Sequence, residues 1–220
     1  GYNYSNIELS GLFKNELFDG SITIDDPNCK LDFNGLADLS NDPNEFNYRA
    51  QIKEVDLYKL NFVKDSVALF KGEIDTALKG MSIDDVVGTI NFKNTQYVNP
   101  DTTFNFDDFS IKAEQLNENE RRISIDSKDI VTGFIEGNFK LLEASKLFKN
   151  SMGSFYANYI PHSISKGQSF QFNFRVYNKL VEVFLPQLQF APNTLMKGAV
   201  IADRDDFKID FKSPSVHYNN

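Results

Sequence analysis

The sequence of 220 residues predicts a mainly β fold, and three observations carry this prediction. Apolar and polar residues alternate with a period of two in many short segments, which is the pattern of half-buried strands. Turn-forming groups of Asp, Asn and Pro separate these segments, as in residues 25–28 and 41–44. Glycines also recur at fixed positions within the alternation. The spacing predicts a meander of about a dozen antiparallel strands.

The alternating segments run along the whole chain, and each has polar residues on its second face. A sheet built from them is therefore expected to be wet on one side. The predicted strands include residues 21–24, 31–33, 46–52, 89–92, 104–106, 123–125, 135–139, 170–174, 181–183 and 207–211.

Eight of the twelve glycines have an apolar residue both two positions before and two positions after them. With an apolar fraction of 41%, roughly two of the twelve would do so by chance. Because positions i−2, i and i+2 share one face of a strand, these glycines are expected on the apolar face. A glycine there marks a bend or the close approach of another group. The eight are Gly11, Gly20, Gly35, Gly72, Gly88, Gly133, Gly137 and Gly198.

Three segments depart from the alternation. Residues 140–160 carry apolar side chains three and four positions apart, which predicts an amphipathic helix that ends before Pro161. Residues 82–87 predict one helical turn with Ser82 as its N-cap. Residues 54–62 predict a short helical or turn crossing. The long helix is expected to cover a core.

Composition excludes several classes of partner. The net charge is −8 and no basic cluster exceeds two residues, so no nucleic-acid partner is expected. Cys29 is the single cysteine, so an internal disulfide cannot form. No apolar run approaches the roughly 20 residues of a membrane-spanning helix. Because the chain opens directly in strand-like sequence, residues 1–220 are expected to be a single β-rich segment of a longer protein.

The sequence contains no recognisable catalytic constellation. His162 and His217 are isolated, and no His, Cys and Asp cluster has the spacing of metal ligands. Phosphate-binding, dinucleotide-binding and serine-nucleophile motifs are absent from the sequence. Adjacent acidic pairs such as Asp84 and Asp85 point to opposite faces of a strand or lie in turns. We therefore expect a protein that is not an enzyme and has neither cofactor nor metal.

Two interpretations of the apolar face compete at this point. In the first, two sheets pack into a β-sandwich whose core is filled by the 21 phenylalanines. In the second, one long sheet curls into a trough whose apolar face stays accessible to an elongated apolar guest. An acyl chain fits the second, with about 0.8 kcal/mol gained for each methylene buried.

Three ordered stretches favour the trough. The first combines residues 17–28 (LFDGSITIDDPN) with 31–38 (LDFNGLAD). The second combines residues 72–75 (GEID) and 79–80 (KG) with 83–95 (IDDVVGTINFKNT), and the third combines 123–130 (ISIDSKDI) with 133–139 (GFIEGNF). Across about the first 150 residues, their order and spacing resemble the TamB-like translocation and assembly module proteins of Gram-negative envelopes, within the larger AsmA-like group.

The resemblance implies a β-taco, a long U-shaped antiparallel sheet with an apolar groove. It implies a periplasmic location and an inner-membrane tether through an N-terminal anchor that this chain lacks. Phospholipid acyl chains are the implied cargo, carried between inner and outer membranes in support of outer-membrane biogenesis. A barrel assembly protein of the TamA or BamA kind is the implied partner of the full-length protein.

Alternation selects the residues expected to line such a groove. The lining side chains are Phe33, Phe92, Phe106, Ile125, Phe139, Phe172, Phe174 and Val183. The groove glycines are Gly20, Gly72, Gly88, Gly133 and Gly137.

Two short patterns suggest a periplasmic O-glycosylation, in which an Asp precedes a hydroxyl residue and an aliphatic one. They place the acceptors at Ser66 and Thr76. Two other functions stay open from the sequence. One is a structural scaffold that assembles outer-membrane strands by β-augmentation, and the other is an adhesin or glycan-binding sandwich.

Overall fold

A computed structural model describes residues 1–63, 67–153, 158, 160–184, 187–204 and 206–218. Within these residues the chain is mainly β, in agreement with the alternation. Ser66 lies outside the described residues, so the predicted acceptor there stays a prediction.

The strands are, in chain order, β1 (Ile7–Lys14), β2 (Leu17–Asp26), β3 (Cys29–Asp38), β4 (Glu45–Asp56), β5 (Leu69–Lys79), β6 (Val87–Val98), β7 (Thr103–Asn105), β8 (Phe109–Gln115), β9 (Arg121–Asp126), β10 (Val131–Asn138), β11 (Ser169–Val176), β12 (Leu188–Phe190), β13 (Thr194–Ile201), β14 (Asp206–Lys212) and β15 (Val216–Tyr218). The helices are α1 (Leu141–Gly153), α2 (Asn178–Phe184) and a short 3-10 helix at Ala202–Arg204.

Thirteen strands form one large antiparallel sheet, in the order β1-β2-β3-β4-β5-β6-β8-β9-β10-β11-β13-β14, with β7 beside β6. The other two strands, β12 and β15, form a separate pair. The sandwich interpretation requires two large sheets, and the described residues form only one. Neither sheet is strongly curled, so the U-shaped trough stays a prediction.

Contacts along the chain divide it into two compact units. The first unit comprises residues 1–81 and 88–110, and the second comprises residues 82–87 and 111–220.

The first unit is a meander in which sequential strands pair as hairpins. Register places apolar residues opposite one another across four strand pairs, for example Ile22 opposite Phe33 and Phe33 opposite Ala50. A bulge between Ile52 and Val55 shifts the register of β4 against β5. No described residue of the first unit is helical.

The second unit has a closed core beneath α1. Its buried cluster consists of Phe139, Leu147, Phe170, Phe172 and Val200. Leu147 comes from α1 and is 1% exposed, whereas the other four come from β11, β13 and the residue after β10. The amphipathic helix predicted at 140–160 is confirmed over Leu141–Gly153, and it covers a core as expected.

The strand predicted at residues 181–183 is wrong, because these residues belong to α2. Three residues of alternation are too few to separate a strand from one face of a short helix. A hydrogen bond between the side chains of Asn178 and Glu182, four residues apart, ties the first turn of α2 to the next. Val183, expected to line a groove on a strand, therefore lies on a helix.

Residues 82–87 form a turn whose hydrogen bonds match the predicted cap. The Ser82 N–H donates to Asp85 Oδ1 at 2.6 Å, and the Asp84 N–H donates to Ser82 Oγ at 3.3 Å. The turn is held in the second unit by Arg121, whose guanidinium donates to the carbonyl oxygens of Ile83, Asp84 and Val86.

Candidate functional site: the open face of the first unit

Most apolar side chains of β1 to β5 point to one face of the first unit, which we call the open face. Three cross-strand rows carry most of them. The rows are Ile7, Ile24, Leu31 and Ile52; Leu9, Ile22, Phe33, Ala50 and Ile74; and Phe13, Phe18, Ala37, Phe46 and Leu78.

The open face is most exposed along β1 and half-buried further in. Leu9 and Phe13 are 63% and 77% exposed, whereas Ile22 and Phe33 are half-buried. Strands lie about 4.8 Å apart, and alternate residues on one strand about 6.7 Å apart. Five strands with four positions each therefore give a face of about 20 Å by 20 Å. Contiguous apolar surface of that size marks an interaction site more often than chance exposure does.

Aromatic rings stand at two places on this face. Phe33 and Tyr48, on β3 and β4, have ring centroids 4.8 Å apart, and Phe13 and Phe18 have centroids 6.5 Å apart. Pairs at these separations are attractive and fix ring orientation. The open face thus carries aromatic pairs beside smaller residues such as Ala50.

A row of three glycines crosses the open face, because Gly11 lies opposite Gly20 and Gly20 lies opposite Gly35. A Cβ added to Gly35 would lie 2.3 Å from the Asn47 carbonyl oxygen and 2.4 Å from the Tyr48 Cα. Gly35 also has φ +154°, which a side chain would strain. The neighbouring backbone thus occupies the space that a side chain would take, so this row brings strands together.

The other predicted groove glycines differ in how closely the adjacent strand approaches them. At Gly88, Gly133 and Gly137 an added Cβ would lie within 2.0–2.3 Å of a carbonyl oxygen on the facing strand. Gly72 is looser, with its nearest neighbours at 3.3 Å. Close approach of backbone, one of the two roles that alternation left open, therefore accounts for most of them.

Two predicted lining residues lie in or after the strands that follow β5 in the first unit. Phe92 on β6 stacks on Phe109, with centroids 4.5 Å apart and planes 7° from parallel. Phe106 follows the end of β7, its N–H donates to the Thr95 carbonyl at 2.9 Å, and its ring stacks near Phe104.

In the second unit the predicted lining residues fall into two groups. Phe139 and Phe172 are 4% and 5% exposed in the core beneath α1, so they do not line an open groove. Ile125 and Phe174 are half-buried and share a row, since both lie opposite Gly133. These four residues share one face of their strands, and α1 covers part of that face.

Thr76, the second predicted glycosylation acceptor, lies in β5 and is 7% exposed. Its hydroxyl lies 3.4 Å from both the N and the O of Tyr48 on the adjacent strand. A sugar could therefore be attached only before this strand forms.

A hollow crossed by a polar row on the opposite face of the first unit was not foreseen from the sequence. Its volume is about 610 Å³, and the row Ser21, Asn34, Arg49 and Asp75 crosses it. Arg49 and Asp75 form an ion pair at 3.0 Å across it. The same alternation that defines the open face could have located this row.

A buried carboxylate closes one end of the open face. Asp26, 2% exposed, accepts hydrogen bonds from the Tyr2 hydroxyl, the Ser5 N–H and hydroxyl, and the Asn28 N–H. These bonds, led by that from Tyr2, lower the pKa of Asp26 from 3.8 to about 2. We call this group the N-terminal clasp, because it holds residues 2–5 against the β2–β3 hairpin.

Metal ligation and thiol reactivity are both disfavoured among the described residues. Among the described residues, no three His, Cys, Asp or Glu side chains are grouped so that they could hold a metal ion. Burial, and then the nearby Asp26, raise the pKa of the Cys29 thiol, which makes it a poorer nucleophile. None of the described helices is long and apolar enough to cross a membrane.

Comparisons of the chain with protein-family models, with curated proteins and with solved structures found no match.

Proposed function

We propose that the open face of the first unit binds phospholipid acyl chains, and that the chain is a lipid-carrying segment rather than an enzyme. One observation carries the proposal. The apolar faces of both units follow the same alternation, yet α1 covers this face in the second unit and no described helix belongs to the first. The exposed rows of the first unit therefore have the surface that an apolar guest requires.

The chemistry of the rows favours an acyl chain over a polar ligand. Across β1 to β4 the three rows hold only aliphatic and aromatic side chains, and Tyr48, opposite Gly35 in the glycine row, adds one hydroxyl. Each methylene taken from water onto such a surface contributes about 0.8 kcal/mol. Because the net charge is −8, attraction to an anionic headgroup does not help, and the acyl chain supplies the affinity.

The proposal extends to the setting that the family resemblance implies. The segment belongs to a periplasmic bridge-like protein that carries phospholipid between inner and outer membranes and meets a barrel assembly protein through its full-length form. We further propose that the sheet curls around its guest into a trough. The glycine row supports this, because strands that approach closely at glycine are where sheets bend.

Site-specific photo-crosslinking tests the lipid contact. The crosslinking residue p-benzoyl-phenylalanine is placed at position 33, on the open face, and at position 34, on the opposite face of the same strand. After irradiation with phospholipid vesicles, mass spectrometry should find lipid adducts at position 33 and few at position 34. Equal labelling at both positions, or none at position 33 in folded protein, would refute acyl binding at this face.

Substitution provides a second measurement with a matched control. Phe33→Asp places a carboxylate among the rows and is expected to reduce co-purified lipid strongly, because the charge must be desolvated against the acyl chain. Asn34→Asp adds the same charge one residue away on the opposite face and should leave lipid unchanged. Circular dichroism of both variants establishes that the sheet is intact.

A further inference from the structure

The second unit has a polar face opposite its core, and two adjoining hollows lie on that face. In β11 and β13 the side chains of Phe170, Phe172 and Val200 point into the core, so the residues between them point to the other side. The hollows have volumes of about 280 Å³ and about 300 Å³, and Gln171 and Ala199 line both. Together these paired hollows reach the range of about 300–1,000 Å³ that small-molecule sites occupy.

A short side chain forms the floor where the paired hollows meet. Ala199 lies opposite Gln171 on β11 and opposite Lys208 on β14. Lys197 and Ile201 lie two residues away on its own strand and therefore share its face. Longer side chains thus surround Ala199 on both neighbouring strands and along β13, which leaves a depression in the polar face.

An aromatic ring borders the larger hollow. Among the paired positions of β9 to β14, Phe134 is the one aromatic residue on the polar face, and it lines this hollow. The Arg122 guanidinium lies 4.7 Å from the centroid of its ring. The face of an aromatic ring is negative and attracts groups of partial positive charge. The C–H bonds on one side of a sugar ring supply such groups, so Phe134 offers a stacking platform for a sugar.

Amide side chains lie beside this ring. Asn173 lies opposite Phe134, and Gln171 lies opposite Glu136 in the next row. The Gln171 Nε2 donates to Glu136 Oε1 at 2.6 Å, and Arg122 donates to the other oxygen of the same carboxylate. These bonds orient the Gln171 amide through its nitrogen. An amide offers both donors and an acceptor, which matches sugar hydroxyls because each of them also donates and accepts.

The charges that line the paired hollows favour an uncharged ligand. Lys197 and Lys208 are the lining cations, and Glu120, Glu136 and Asp210 are the lining carboxylates. Lys197 and Asp210 lie 3.8 Å apart, so the two signs are interleaved. Because positive and negative groups nearly balance, neither a phosphate nor a metal cation meets a concentrated opposite charge.

We propose that the paired hollows form a binding site for a neutral oligosaccharide. Phe134 stacks on the C–H side of one sugar ring, and the amides of Gln171 and Asn173 bond its hydroxyls. Ala199 leaves the room that the next ring occupies. The site lies wholly within the second unit and is independent of acyl binding at the open face.

Saturation-transfer NMR with neutral disaccharides tests the site, using maltose, cellobiose, lactose and N,N′-diacetylchitobiose as probes. At least one of them should receive saturation from the protein and should shift the side-chain amide signals of Gln171 and Asn173. If none of these probes binds, or if the shifts fall only on residues outside the paired hollows, the proposal is overturned.

Filling the floor of the site is the decisive substitution. Ala199→Leu adds bulk on the polar face, away from the core, and should raise the Kd of the bound disaccharide by about tenfold or more because the ligand no longer fits. Ala77→Leu makes the same change at an exposed alanine of β5 in the first unit and should leave binding unchanged. Circular dichroism establishes that both variants are folded, and an unchanged Kd in Ala199→Leu would refute the site.

Phe134→Leu separates stacking from apolar contact, because it keeps an apolar side chain and removes the ring. It should raise the Kd by about threefold to tenfold, and an unchanged Kd would refute the stacking role. Phe33→Asp, on the open face, should leave saccharide binding unchanged, and Ala199→Leu should leave the lipid adducts at position 33 unchanged. Failure of one proposal is thereby distinguished from failure of the other.

Discussion

The two units carry the same alternating pattern but differ in what lies over their apolar faces. In the second unit Phe170 and Phe172 are 6% and 5% exposed beneath α1. In the first unit, Leu9 and Phe13 are 63% and 77% exposed. Period-two alternation thus decides which side chains share a face, whereas burial needs a second layer.

Polar contacts hold that second layer in place. Gln168, 3% exposed, accepts a hydrogen bond from the Lys140 N–H at 2.8 Å and donates to Glu143 at 2.6 Å. The Ser165 N–H donates to Glu143 at 2.8 Å and, as the main cause, holds the pKa of that carboxyl below 4.5. The start of α1 is therefore fixed to the segment before β11 by groups that satisfy one another.

The greatest contrast between the units should appear at two phenylalanines. Phe172→Ala should lower the free energy of unfolding by about 3–5 kcal/mol, because it leaves a cavity in a closed core. Phe33→Ala removes a half-buried ring from the open face and should lower it by about 1–2 kcal/mol. Chemical denaturation of both variants measures the difference. Equal losses would mean that the open face is as well packed as the covered one.

The glycine row offers the next effect in size. Gly35→Ala should destabilise the first unit by about 2–3 kcal/mol, because the new methyl overlaps the Asn47 carbonyl and the backbone is strained. Gly72→Ala is the matched control, because its nearest neighbours are at 3.3 Å and its φ is the same +154°. Hydrogen exchange of β3 and β4 should rise more in the first variant. A similar rise in hydrogen exchange in both variants would mean that the positive φ alone, and not the overlap with the Asn47 carbonyl, causes the destabilisation.

Removing the anchor of α1 should have a smaller effect. Gln168→Ala leaves the Lys140 N–H and Glu143 without this partner and is expected to cost about 1–2 kcal/mol. Binding of an apolar dye to the second unit should increase as α1 loosens. Gln171→Ala, which removes an exposed amide bonded to Glu136, is the control and should change neither quantity. If Gln168→Ala changed neither the free energy of unfolding nor dye binding, apolar packing alone would hold the helix.

The mildest change we expect is local and depends on pH. Asp26 has a folded pKa of about 2 and an ordinary value of 3.8, so the clasp is complete above about pH 4 and is lost as pH falls through about 2. The hydrogen bond to Asp26 raises the pKa of Tyr2 above 10.0, so on the alkaline side the clasp weakens only beyond that value. Amide exchange at Ser5, corrected for its intrinsic pH dependence, measures the release.

Asp26→Asn provides the control for that experiment. The amide cannot ionise, so exchange at Ser5 should be faster at neutral pH and should no longer change between about pH 4 and pH 2. A pH dependence that survives the substitution would place the titrating group elsewhere. Neither measurement is expected to alter the second unit.

Local sequence predicted much of the fold. Alternation located strands such as residues 170–174 within β11 and 207–211 within β14, and spacing located α1. The failure at residues 181–183 came from a pattern too short to be specific. The candidate site was predicted as a set of residues spread along the chain. Of the predicted lining side chains, Phe33 lies in the rows defined over β1 to β5, and membership of a row depends on register between strands.

The order of residues along single strands was enough to establish which apolar side chains share a face and where glycine lets backbones approach, since both follow from a period of two. Which part of that face is covered depends on tertiary packing. The docking of α1 uses groups far apart in the chain, such as the Leu141 N–H and Asp84 Oδ1, 2.7 Å apart across 57 residues. No local periodicity contains that information. The docking of α1 is what distinguishes the closed core of the second unit from the open face of the first.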